Sequence, residues 1–176
     1  MSINNINTEA MGKFVEEVKA NPEAAKKTKK VQGTWNFTPG APQFEAVLEF
    51  KQGSEIIQAD FAPFMGGNGL KPDPIQYCLY GLASCYAGTF MSLAAMEGIE
   101  ISSLKVTAEN HVDLSRTLGL SDNPIVEGVK ITLEVTTGAP EEKVRELQKL
   151  AYERCPGVYC LTNPIKLDTE VKLTPV

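Results

Sequence analysis

The sequence is short of the residues that several common chemistries require. It holds one histidine and one tryptophan, aromatic residues make up 7% of it, and no arginine precedes Arg116. His111 has no second histidine to join it, and the four cysteines never fall in C-x-x-C spacing, so no zinc site is expected. Basic residues are outnumbered 17 to 22, for a net charge of −5, which argues against a nucleic-acid partner because phosphate contacts need a basic surface. The one basic cluster, Lys26-Lys27-Thr28-Lys29-Lys30, contains no aromatic side chain to stack on a base and reads as a solvated linker. Gly66-Gly67-Asn68-Gly69 lacks the G-x-x-x-x-G-K-[ST] pattern of a phosphate loop, so no nucleotide site is expected there. Residues Met1 to Asn7 contain no apolar run able to act as a signal peptide, which predicts a cytoplasmic protein. Thiols stay reduced in that compartment, so four cysteines point to catalysis, a metal or packing before structural disulfides.

Charge is missing altogether from Pro74 to Met96. Asp73 before Pro74 supplies an N-cap and a first-turn residue whose absent N–H costs nothing, and Gly98 suits the left-handed residue after a helix end. A helix over roughly 73–97 is therefore predicted. Apolar residues (Ile75, Leu79, Leu82, Tyr86, Phe90, Leu93, Met96) and small ones (Gly81, Ala83, Ser84, Ala87, Gly88) cover nearly every face, the pattern of a helix surrounded by protein. A membrane span of this length is the competing reading. Gln76, Ser84, Thr89 and Ser92 lower the hydrophobicity and no Lys/Arg cluster flanks either end, so a buried core helix with no membrane partner is expected.

Around this helix the periodicities alternate. Met11, Phe14, Val15 and Val18 fall at helical spacing behind a Thr8 cap, and Asn21-Pro22 ends the run. Val31 to Phe37, Phe44 to Phe50 and Ile57 to Phe61 alternate apolar with polar residues, joined by turn-like connectors, which predicts an antiparallel meander. After the core helix, Leu104 to Leu114 and Val129 to Val135 alternate again, and so do Ile165, Leu167, Val171 and Leu173. Pro140-Glu141-Glu142 opens an amphipathic helix carrying Val144, Leu147, Leu150 and Ala151, and Pro156 can start a short one. The expected order is α-βββ-α-ββ-α-(short α)-β, an α+β domain over residues 31–176 with an N-terminal helix and basic linker at 1–30.

Cys78 and Cys85 share a helix face but stand about 10.5 Å apart along the axis, beyond disulfide reach. Any functional pair must join the core helix to Cys155 or Cys160. Cys155 lies between Arg154 and Pro156, where backbone N–H groups and a cation favour a thiolate, although packing at a helix junction is an equal reading. Cys85 has small neighbours that leave room for an approaching group, although taken alone it reads more readily as a core cysteine, while Cys78 and Cys160 are expected to pack. His111 falls on the polar face of its strand and reads as solvated. Asn110 falls on the apolar face and reads as satisfying backbone groups, with a place in a pocket as the alternative.

The run Pro74-Ile75-Gln76-Tyr77-Cys78-Leu79-Tyr80-Gly81-Leu82-Ala83-Ser84-Cys85, preceded by Gly66-Gly67-Asn68-Gly69 and followed by Glu153-Arg154-Cys155-Pro156, resembles the OsmC/Ohr family of osmotically inducible and organic hydroperoxide resistance proteins. The resemblance runs from about Val31 to Leu173. It implies an OsmC-like fold, with antiparallel sheets wrapped around a long central core helix in an intertwined homodimer whose active sites lie at the interface. It further implies a thiol-dependent peroxidase that reduces organic (alkyl or lipid) hydroperoxides, with Cys85 as the peroxidatic thiol and Cys155 as the resolving one. No cofactor is implied beyond an external dithiol or lipoyl-type reductant. Phe61, Phe64, Met65, Tyr86 and Tyr159 are the candidate substrate-pocket residues.

Two positions depart from the family pattern. The peroxidase members carry an activating Arg in the first hairpin, where this chain has none, and a Glu before the Gly-rich loop, where Pro63 aligns; Asp60, Glu55 and Glu45 are the nearest carboxylates. Arg154 and Arg116 are the candidates for a replacement cation. The alternative expectation is a non-peroxidase OsmC-like protein that binds a small apolar or sulfur-containing ligand, its cysteines acting as a redox switch.

Overall fold

A computed structural model of the chain describes residues 2–175. Its centre is the charge-free segment, which forms α2, Pro74–Met96. The local chemistry fixes both ends. The Asp73 carboxylate accepts from the Ile75 N–H at 2.8 Å, and the Gln76 side chain accepts from the Asp73 N–H at 2.9 Å, closing a capping box. At the far end Gly98 takes φ +70°, and the N–H groups of Gly98 and Ile99 return to the carbonyls of Ala95 and Ala94, a Schellman closure.

Ahead of α2 lie a two-residue hairpin, β1 (Ser2–Ile3) and β2 (Ile6–Asn7), the helix α1 (Thr8–Ala20), and the antiparallel meander β3 (Gly33–Trp35), β4 (Phe44–Phe50) and β5 (Gly53–Ala59). After α2 come the long strands β6 (Ile101–Val112) and β7 (Val126–Thr137), paired antiparallel from Ile101↔Thr137 to Val112↔Val126. They are followed by α3 (Glu141–Arg154) and α4 (Pro156–Thr162). The fold is α+β, with the long helix packed on an antiparallel ribbon.

The core is a set of facing stripes. Leu82, Tyr86, Phe90 and Ala94 recur every four residues on α2 and meet Leu147, Ala151 and Cys155 of the α3 stripe, Val158 of α4, and the inner residues Leu104, Ala108, Ile131 and Leu133 of the ribbon. Phe90 and Leu147 are fully buried, and each such side chain contributes about 1.5–3 kcal/mol by leaving water. Lys143 of α3 reaches Glu97 at 2.6 Å and Glu146 at 2.8 Å, which raises its pKa and ties α3 to the end of α2.

Only one face of α2 is covered by its own chain. Tyr80 is 71% exposed and Met96 is 46% exposed, so the expectation of a helix surrounded on all sides is not met within a single chain. By length and composition α2 could cross a membrane; its packing against β6, α3 and α4 is that of a core helix.

Two local expectations are corrected. The cap of α1 is Asn7, whose Oδ1 accepts from the Ala10 N–H at 2.9 Å, and Thr8 is the first helical residue. Asn4 and Asn5, at φ +56° and +61°, turn the hairpin ahead of it, a conformation Asn tolerates well. The expected C-terminal strand does not form: from Asn163 to Pro175 the backbone has no regular structure, and Leu167, Val171 and Leu173 are more than four-fifths exposed. Its alternation marks two faces, but among the described residues no strand pairs with it.

Candidate functional site

Cys155 ends α3 and opens α4. Its N–H bonds to the Ala151 carbonyl at 3.0 Å and its own carbonyl accepts from Tyr159 at 2.9 Å, so the two helices meet at this residue. Because it continues the buried stripe of Val144, Leu147 and Ala151, its side chain turns into the core and is fully buried. There its sulfur lies 3.5 Å from Cys85 Sγ, 70 residues earlier in the chain. Cys85 precedes Tyr86 on α2 and is half-buried at the margin of the same core.

Gly157 lies where α4 meets this pair, and nothing in the sequence singled it out. A Cβ at that position would stand 3.2 Å from Leu82 Cδ1, 3.5 Å from Cys85 Cβ and 3.7 Å from Cys155 Sγ. A Cβ would fit against the two cysteines with a small shift of the Leu82 side chain, whereas a branched side chain would crowd α4 against α2. The available signal was a glycine at the second position of a Pro-initiated helix beside a cysteine.

The electrostatics follow from these contacts. Burial pushes the Cys85 thiol pKa up, and the S–H···S contact and negative charge at Cys155, with charge at Cys160, push it the same way. The backbone N–H of Gly157 donates to Cys85 and opposes them. The helix-start N–H expected to favour a thiolate at Cys155 therefore serves its partner. Tyr86 is buried against the pair, its hydroxyl donates to the Gln148 carbonyl at 3.1 Å, and burial followed by the Cys155 charge raises its pKa.

The other candidates lie apart. Arg154 is exposed at the end of α3, and exposed Arg116 donates to the Asp122 carbonyl of its own loop at 3.3 Å. No guanidinium is among the groups acting on Cys85. Cys78 and Cys160, expected to pack, are both exposed, because the covering elements reach neither side chain.

Two cavities flank α2 one turn before Cys85. One, of about 660 Å3, is almost wholly apolar and runs between the meander and the start of the helix, with Trp35, Phe44, Phe61, Tyr77 and Gly81 in its wall. The other, of about 640 Å3, is bounded by Leu82, Tyr86, Val158 and Leu161 with β7. Phe61 and Tyr86 thus line different cavities, Phe64 and Tyr159 are exposed, and Met65 sits on the 3-10 turn Pro63–Met65, so the five residues do not converge within one chain. Asn110, half-buried and opposite Val129, and exposed His111 lie along the wall of a third concavity at the far end of the ribbon.

The Gly-rich loop is used by the fold itself. Asp60, 1% exposed, accepts from the N–H groups of Asn68 at 3.2 Å and Leu70 at 3.0 Å, while those of Gly66, Gly67 and Gly69 go to the carbonyls of Pro63, Ala62 and Phe61. With these five donors engaged, the loop presents no cradle for a phosphate. Glu45 accepts from Gln58 on the exposed face of the meander, and Glu55 is exposed.

A long helix on an antiparallel ribbon, with two thiols in contact where a third and fourth helix join, defines an α+β protein built around a dithiol. The sequence model for OsmC-like protein matches residues 66–170, more than half of the chain, and the chain belongs to that family. No curated protein matches it. Among solved structures it is similar to an OsmC-like protein from Mycoplasma pneumoniae, with TM-score 0.59, 19% identity, and 77% of this chain and 88% of that one covered. It is likewise similar to the organic hydroperoxide resistance protein OsmC from Legionella pneumophila (TM-score 0.57, 18% identity, 78% and 92% covered). A third is an organic hydroperoxide resistance protein from Elizabethkingia anophelis (TM-score 0.55, 16% identity, 78% and 91% covered). At these identities the likeness is one of fold.

Proposed function

We propose that the chain is a thiol-dependent peroxidase for organic hydroperoxides, with Cys85 and Cys155 as its redox pair. The observation that carries this reading is the 3.5 Å approach of two sulfurs that the sequence separates by 70 residues. In the proposed cycle the Cys85 thiolate attacks the terminal oxygen of R–O–O–H. The O–O bond breaks, R–O− leaves and takes a proton as the alcohol, and Cys85 becomes a sulfenic acid. Cys155 then attacks that sulfur, hydroxide leaves as water, and a disulfide forms. From van der Waals contact the sulfurs need to close by only about 1.5 Å. An external dithiol, such as a lipoyl group, returns the pair to thiols by exchange. The apolar cavity beside Gly81 supports an alkyl or lipid hydroperoxide as substrate.

The functional unit in this reading is a homodimer. A second copy would cover the open face of α2 and the apolar face of the meander, on which Phe44 and Phe50 are exposed. Residues 31–176 act as one domain, with 1–30 as an appended helix and linker whose start is tied to the strand after α2 by two 2.8 Å bonds of the Asn4 side chain, to the Ile99 carbonyl and the Ile101 N–H. The reading places the protein in a reducing cytoplasm, without a membrane or nucleic-acid partner.

The raised Cys85 pKa and the lack of a nearby guanidinium favour a second reading, a non-peroxidase member that binds a small apolar or sulfur-containing ligand and uses the pair as a redox switch. Cumene hydroperoxide with dihydrolipoamide separates the two. Catalytic loss of peroxide that vanishes in Cys85→Ser supports the peroxidase, and turnover unchanged by that substitution refutes it.

A further inference from the structure

Cys155 is fully buried, so a disulfide between it and Cys85 would have one sulfur that no external reductant can touch. The third thiol near the pair is placed differently. Cys160 is exposed on α4, three residues after Gly157, the residue that packs on Cys85 Cβ. Three residues advance a helix by about 4.5 Å and return to nearly the same face, which sets Cys160 one turn along from the point where α4 meets Cys85. A charge on Cys160 is felt at Cys85, raising its pKa, as expected for neighbouring sulfurs.

We propose that Cys160 is a relay thiol through which reducing equivalents enter the buried pair. This rests on the redox role of Cys85 and Cys155 proposed above. The Cys160 thiolate attacks the Cys85 sulfur of the Cys85–Cys155 disulfide. A Cys85–Cys160 bond forms, the Cys85–Cys155 bond breaks, and Cys155 leaves as a thiolate that takes up a proton. The disulfide now ends on an exposed sulfur. One thiolate of an external dithiol attacks Cys160, releases Cys85, and then closes on its own second sulfur to release Cys160. One disulfide is reduced and one dithiol oxidised. Exchange within the chain gains the advantage of a tethered reactant over a collision.

Two measurements test this, and both make the disulfide with diamide, so neither depends on peroxide chemistry. In a Cys78→Ser/Cys155→Ser chain only Cys85 and Cys160 remain. Diamide is expected to remove two hydrogens by intact mass while the chain keeps monomer mobility on a non-reducing gel. Retention of both free thiols, or bonding only between chains, overturns the proposal. In the otherwise wild-type chain, Cys160→Ser is expected to slow reduction of the Cys85–Cys155 disulfide by dihydrolipoamide ~10-fold or more. An unchanged reduction rate overturns it as well. Failure of the peroxidase reading would appear separately, as diamide-oxidisable thiols that cumene hydroperoxide leaves untouched.

Discussion

The groups around Cys85 set a pH dependence that distinguishes this site from one activated by an arginine. Burial is the largest influence and disfavours the thiolate; the neighbouring sulfurs act in the same direction, and the Gly157 N–H alone opposes them. The pKa of Cys85 therefore lies above that of an ordinary thiol, so at pH 7 the protonated form predominates. In that regime the thiolate fraction climbs nearly tenfold per pH unit. The single-turnover rate with cumene hydroperoxide, followed by stopped flow, is expected to rise about tenfold from pH 6.5 to pH 7.5 and to keep rising past pH 8. A site with a cation against Cys85 would behave otherwise: with a pKa near 5–6, it would be almost fully ionised at pH 7 and flat over the same interval. A flat profile between pH 6.5 and 8 would refute the reasoning.

The same shift has a consequence for stability. A folded-state pKa raised above the unfolded one contributes stability that is present in full below about pH 8.5 and is lost as pH rises through the folded value. Urea midpoints should accordingly fall between pH 8 and pH 10 by more in the parent chain than in Cys85→Ser.

Two further outcomes follow from packing. Gly157→Val adds two methyl groups to a Cβ that already stands 3.2 Å from Leu82 Cδ1 and 3.5 Å from Cys85 Cβ; thermal and urea unfolding should report a loss of about 1–3 kcal/mol, and diamide should form the Cys85–Cys155 disulfide far more slowly, with Gly157→Ala much milder. Asp60→Ala removes the acceptor of the Asn68 and Leu70 N–H groups. Urea unfolding should show a loss of about 2–4 kcal/mol, and a loss below about 0.5 kcal/mol would mean that Asp60 does not hold the loop.

How far the sequence could be read depended on the range of the interaction behind each feature. The ends of α2 were legible because Asp73, Pro74, Gln76 and Gly98 act within a turn of the helix they bound. The strands β4 to β7 were legible because alternation is local, and so was the apolar stripe of α3 up to Ala151, while the inward turn of Cys155 was not read from it. The cap of α1 was misplaced by one residue because Asn7 and Thr8 are both competent, and the choice falls to the Asn4–Asn5 hairpin upstream. The alternation of Ile165 to Leu173 was equally visible, yet a strand needs an edge to bond to, and no periodicity names that edge. Gly157 was invisible for a related reason. Its value lies in what its missing side chain leaves room for on a helix 70 residues away, and only packing reveals it.

The short helix α4 brings these threads together, because three of its properties depend on one another. Pro156 can start a helix only after an extended residue, and Cys155 takes φ −76° and ψ 120°, ending α3 and aiming its sulfur at α2. Gly157 then approaches α2 closely enough for its N–H to reach Cys85, with little room left for a larger side chain. One turn along, on nearly the same side of the helix, Cys160 is exposed. A cation on a distant hairpin would stabilise the Cys85 thiolate more strongly than one backbone N–H. This arrangement instead ties the charge state of Cys85 to the seating of α4. A substitution that lifts α4 should therefore lower thiolate reactivity and disulfide formation together, and Gly157→Val against Gly157→Ala is the pair that shows whether the two fall in step.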